Sequence, residues 1–128
     1  MRVNEKIWGV PLASQATQSE ENLVLNQLLS DPAYGKVLEF YRRQHQTYQD
    51  QLHQSLSKMD LEQLGRLCHK IKGSAGAYGF TAEMQAADQV TFSIKTNAGE
   101  TKIRRAVQEL SWQIQASQKT LDQALEGV

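Results

Sequence analysis

Beyond Pro32 the chain runs to residue 128 without another proline, and the only earlier one is Pro11. Proline costs a helix interior about 3 kcal/mol, because it removes a backbone hydrogen bond and clashes with the preceding turn. The proline-free tract carries most of the sixteen glutamines together with many Ala, Leu, Glu and Lys, residues that lose little side-chain freedom in a helix. An all-α fold is expected.

Periodicity divides the tract. From Met1 to about Ser19 no period is sustained, so residues 1–19 read as an arm whose Trp8 is able to dock on the body. A short helix is expected over Glu20 to Leu29, ending at Ser30-Asp31-Pro32, where a cap-like residue precedes a proline suited to a first turn. Between Ala33 and about Ser57, Tyr34, Val37, Leu38, Tyr41, His45, Tyr48, Leu52 and Leu56 recur at three- and four-residue steps, one helical stripe. Asp60 and Gln63 have capping-box spacing and open a helix striped with Leu61, Leu64, Cys68, Ile71, Ala75 and Tyr78. Gly79 is expected to stop it and Thr81 to cap the next, whose face is Met84, Ala87, Val90, Thr91 and Ile94, up to Asn97-Ala98-Gly99. A last helix from about Thr101 carries Ile103, Val107, Leu110, Ile114, Leu121 and Leu125, nearly a heptad. Long amphipathic helices with short connections bury such stripes most simply as an antiparallel up-down four-helix bundle. The expected domain is 20–128, with the arm and a short extra N-terminal helix ahead of the bundle.

Charge and length narrow the function. Fourteen Lys and Arg balance fourteen Asp and Glu, so no basic surplus is available to hold a phosphate backbone or an anionic leaflet. Neither nucleic acid nor a membrane is an expected partner. A chain of 128 residues suits one domain, with no room for a catalytic domain beside it. No stretch approaches the ~20 apolar residues of a membrane helix, and Ile7 to Val10, interrupted by Gly9, is too short for a signal-peptide core. The single cysteine, Cys68, lies in an apolar stripe without a disulfide partner, which favours a core position and a reducing, cytoplasmic setting.

The helical wheel of the Cys68 segment carries the chemistry. With Leu64, Cys68, Ile71 and Ala75 turned inward, His69 points to solvent. Gly65, Gly73 and Gly76 share its face at positions −4, +4 and +7, and Lys72 stands at +3. Each helical glycine costs up to ~1 kcal/mol relative to alanine, so three around one exposed histidine need a reason. Clearance supplies it: a partner surface can approach the imidazole closely. An exposed neutral imidazole is a competent nucleophile, and a cation one turn away suits the dianion that phosphoryl transfer would leave on it.

The run His69-Lys70-Ile71-Lys72-Gly73-Ser74-Ala75-Gly76, continuing Ala77-Tyr78-Gly79-Phe80, resembles the motif of the histidine-containing phosphotransfer (HPt) domain family. That motif is His-x-x-Lys-Gly followed by small residues and a further Gly. The Asp31-Pro32 helix start, the Met59-to-Leu64 run-in and the following helix pair look similar too. The resemblance implies a four-helix bundle whose exposed His accepts a phosphoryl group from the aspartate of a response-regulator receiver domain and donates it to another. It makes the chain an intermediate of a multistep two-component phosphorelay served by a hybrid histidine kinase, with no kinase activity of its own. By it, His69 is the phospho-acceptor, Lys72 the phosphate-supporting cation, and Gly73 and Gly76 the close-approach positions; the wheel adds Gly65 to them as a partner-docking position. The receiver brings the aspartate and the magnesium, so no cofactor is expected here, and a monomer suffices.

Other helical proteins fit less well. A dimerising histidine-kinase domain has an acidic residue directly after its His and a proline soon after, where this chain has Lys70 and no proline. Bundle di-metal enzymes use Glu-x-x-His, whereas Arg42, Asp50 and Arg66 precede His45, His53 and His69, so no metal site is expected. His45 is expected partly buried and hydrogen-bonded, and His53 on the surface. Two further readings stay open: a helical adaptor that binds a receiver or kinase without carrying phosphate, and an HPt piece of a larger hybrid sensor kinase. Met1 and the short arm favour a free-standing chain. Phe92 and Trp112 fall opposite their helices' apolar stripes, and are expected to pack with the arm or to mark another docking patch.

Overall fold

The computed structural model describes residues 30–126 together with Leu25, Gln27 and Leu28. Four long helices account for nearly all of it: α1 (Ala33–Ser57), α2 (Leu61–Ala77), α3 (Thr81–Lys95) and α4 (Glu100–Glu126). The arm expected over 1–19, Trp8 included, lies outside the described residues. Within the short helix expected over 20–29, Leu25, Gln27 and Leu28 are helical and the other positions also lie outside them.

Local chemistry sets the helix ends. Asp31 Oδ1 accepts the Ala33 N–H at 3.0 Å, and Pro32 already has helical dihedrals, so the pair starts α1 as its sequence implies. Asp60 Oδ1 accepts the Gln63 N–H at 3.1 Å, which is one half of a capping box. The other half is not made, because the Asp60 N–H is spent on Ser55 O at 3.0 Å. Thr81 does not cap α3: it is the first helical residue, and Phe80, without a side-chain hydrogen bond, occupies the cap. Phe80 is held there by its buried ring and by its N–H, which bonds Ala75 O at 2.8 Å.

That bond belongs to a helix-ending pattern used three times. At the end of α2, Gly79 (φ 81°) bonds back to Gly76 O while Phe80 bonds to Ala75 O, a Schellman motif whose left-handed residue is the predicted glycine. Asn97 (φ 52°) ends α3 the same way, with Ala98 bonding Ser93 O. At the end of α1 the left-handed residue is Met59 (φ 49°), a side chain that tolerates this region poorly.

The principal packings are α1 on α2, α2 on α3, α3 on α4, and α4 back on α1, which makes a four-helix bundle. Its larger core joins Tyr48 and Leu52 of α1, Leu64, Cys68 and Ile71 of α2, Ala87 and Val90 of α3, and Ile103, Val107, Leu110 and Ile114 of α4. A second cluster, with Leu25, Leu38, Tyr41, Ala75, Phe80 and Leu121, seals another part of the bundle. Burying a ring such as that of Phe80 contributes roughly 1.5–3 kcal/mol.

Two stripes depart from expectation. Tyr34 and Val37 are exposed, because Arg42 already meets Asp122 near the end of α4 and little of that helix is left to cover the first turn of α1. On α3 the buried residues are Glu83, Ala86, Ala87, Val90 and Ser93, with Met84, Thr91 and Ile94 only half-buried. The small side chains there turn toward α2 and α4, and the carboxylate of Glu83 enters the interior because it has a partner, His45. Cys68 is buried in the core, as its stripe implied, and His53 is exposed. Phe92 and Trp112 are exposed too, and so is Phe40. No helix among the described residues is long and apolar enough to cross a membrane.

Candidate functional site

Five inward side chains, Leu64, Leu67, Cys68, Ile71 and Ala75, fix the rotation of α2 about its axis. The opposite side then presents His69, Lys72, Gly73 and Gly76 to solvent, with Gly65 half-buried at the margin. The wheel's assignment of an outward histidine holds in three dimensions.

The three glycines differ. A Cβ built on Gly65 or Gly73 would meet nothing within 4 Å, so internal packing does not ask for glycine at either position. What the missing side chain leaves is room outside the protein, beside the imidazole. At Gly76 a Cβ would lie 3.2 Å from Met84 Sδ, so this glycine also admits a side chain of α3. It has an internal task that the wheel did not disclose.

A groove of about 590 Å³ runs between α2 and α3 past the histidine. Leu61, Gly65 and His69 line it from α2, and Thr91, Ile94 and Lys95 from α3. Arg66 and Lys70 also border it, and Arg66 is tied to Glu62 at 2.6 Å. Lys70 and Lys95 thus stand at the rim of an apolar-floored groove beside the Arg66–Glu62 pair, and Lys72 lies outside its lining.

Lys72 is engaged. Its Nζ lies 2.8 Å from Oδ1 of Asp88 on α3, with both side chains about half exposed. Neither Asp88 nor the α3 wall of the groove was foreseen from sequence. Thr91 and Ile94 read there as core positions, and nothing in a linear chain marks an exposed acid on one helix as the partner of a lysine on another.

The remaining titratable groups stand apart. His45 is buried against Glu83 and His53 is exposed on α1, so His69 is the histidine that borders this groove. Burial pushes the Cys68 thiol up to about 12, which keeps it protonated and no rival nucleophile to its neighbour in sequence. Among the described residues no group of three or more His, Cys, Asp or Glu side chains is placed to hold a metal ion.

The bundle thus turns a histidine, a lysine and two helical glycines to solvent on one side of α2. Comparison with protein families names the kind: the Hpt domain model matches residues 36–127, spanning α1 to α4, and the chain belongs to the Hpt domain family. Hpt domains are phosphotransfer carriers of two-component signalling, not kinases, and they interact with receiver domains of response regulators. Neither the curated proteins nor the solved structures gave a match.

Proposed function

We propose that this chain is a phosphoryl carrier in a multistep two-component phosphorelay, loaded at His69 by a receiver-domain aspartyl phosphate and unloaded to a second receiver. The observation that supports this most directly is the placement of His69: solvent-facing, on a helix locked by its buried side, and flanked at Gly73 by open space. In the forward step a lone pair of the neutral imidazole attacks phosphorus, the bond to the aspartyl oxygen breaks, and the carboxylate leaves with its electron pair. The N–P bond so formed is a phosphoramidate of similar energy, so the reverse attack by another aspartate returns the imidazole.

Lys72 supports the dianion on the ring, and the groove between α2 and α3 receives the partner. The receiver supplies the aspartate and its magnesium, and the carrier needs no cofactor of its own. It acts as a monomer, in the cytoplasm, a setting that the buried free thiol of Cys68 suits.

The test is labelling. Incubated with a phosphorylated receiver or with phosphoramidate, the wild type acquires an acid-labile, base-stable phosphoryl group, and His69→Gln acquires none while its helicity and melting stay unchanged. Equal labelling of the variant, or label mapped to His45 or His53, would refute the assignment. A wild type that binds a receiver but never takes up label would make it an adaptor.

A further inference from the structure

Resting on that reading of His69 and Lys72, we infer that Asp88 is a positioning residue of the transfer site: it holds the Lys72 ammonium when the ring is free and yields it when the ring is phosphorylated. The contact is specific, with Lys72 Nζ 2.8 Å from Asp88 Oδ1 across two helices. It is also weak, because both side chains are about half exposed and water screens them. A phosphoryl dianion on His69, one helical turn from Lys72, carries more charge than the carboxylate and presents more acceptor oxygens. The cation therefore has two competing sites, and the occupied one depends on the state of the ring.

The placement of Asp88 on α3 supports this. Thr91 and Lys95, three and seven residues further on, line the groove beside His69, so Asp88 continues the same ridge of α3 one turn beyond the wall. Its carboxylate also bears a charge of the same sign as the phosphoryl group. Both effects act in one direction: Asp88 makes phospho-His69 less stable than Lys72 alone would leave it. For a carrier this is useful, since a phosphohistidine bound too firmly would keep the group instead of passing it on.

The experiment is a double-mutant cycle read as an equilibrium. The chain is mixed with a receiver domain and magnesium, and the ratio of phosphohistidine to aspartyl phosphate is measured for wild type, Asp88→Asn, Lys72→Ala and the double variant. Asp88→Asn is expected to shift the ratio toward phosphohistidine by roughly two- to fivefold, the range an exposed ion pair commands. In the Lys72→Ala background the shift should shrink to under about 1.5-fold, and Asp88→Glu should retain the wild-type ratio. A general structural effect of the substitution would not depend on Lys72. An unchanged ratio in Asp88→Asn, or an equal shift in both backgrounds, overturns the inference while leaving His69 as carrier. Failure of phosphoramidate to label wild-type His69 overturns the carrier reading and this inference with it.

Discussion

Nε2 of His45 lies 2.9 Å and 3.1 Å from the two carboxylate oxygens of Glu83, and water reaches neither side chain. The bond ties α1 to α3 inside a box of rings, with Tyr41 centred 4.4 Å from the imidazole and Phe80 at 6.2 Å. A buried carboxylate without a donor would be strongly unfavourable, so each partner makes the other's burial possible.

Removing one member should therefore cost far more than removing both. Glu83→Ala or His45→Ala alone is expected to lower stability by about 3–5 kcal/mol in urea denaturation, because a buried polar group is stranded. Replacing both with apolar residues of similar volume should cost much less. Single variants that unfold within about 1 kcal/mol of wild type would mean the pair is not sealed as described.

Lys72→Ala should slow transfer from a phosphorylated receiver by one to two orders of magnitude, since a charge-assisted hydrogen bond to phosphate contributes roughly 1.5–3 kcal/mol. Lys72→Arg should retain part of the rate, keeping the charge with altered geometry. Rapid-quench kinetics decide the matter, and an alanine variant at wild-type speed would reduce Lys72 to a surface charge.

The glycines separate into two behaviours. Gly73→Ala meets open space and should stabilise the fold by up to ~1 kcal/mol, yet slow transfer from a receiver and leave labelling by phosphoramidate intact. Gly76→Ala should gain less, because Met84 Sδ, 3.2 Å from the new methyl group, has to shift. If receiver transfer is untouched in Gly73→Gln, the partner does not approach over this face.

Cys68 gives a pH signature. Burial raises its folded-state value to about 12 from the usual 9.0, so the folded state keeps a proton that the unfolded state releases above that usual value. The thiol's contribution is complete below pH 9 and is lost between pH 9 and 12, at about 1.4 kcal/mol per pH unit. Denaturation of wild type and Cys68→Ala across this range should show the wild type losing stability more steeply, and parallel curves would contradict the burial.

Much of this was legible in the chain because it is written locally. Asp31-Pro32, Asp60, Gly79 and Asn97 act on their own backbone neighbours, and the α2 stripe repeats strongly enough to place His69 outward. Thr81 failed as a cap because the Phe80 ring and backbone had already fixed the entry to α3. The face of α3 was misjudged because burial there is decided by what lies opposite. Glu83 goes inside for the sake of His45, 38 residues earlier, and no period in α3 encodes that. Lys72 was visible through its spacing from His69, whereas Asp88, its partner on another helix, was not.

The way the helices pair has a kinetic consequence. Among the principal packings, α1–α2, α2–α3 and α3–α4 each join sequence neighbours across a short turn, and only α1–α4 brings distant stretches of chain together. That seam is fastened in part by half-exposed polar links, Arg42 to Asp122 and Gln49 to Ser111, which water can replace at little cost. Low contact order favours rapid zipping of the neighbouring pairs, and the seam, which closes the longest loop of chain, is the last of these packings to form. His69 and its groove belong to α2 and α3, neighbours in sequence, so that face assembles without waiting for the seam to close.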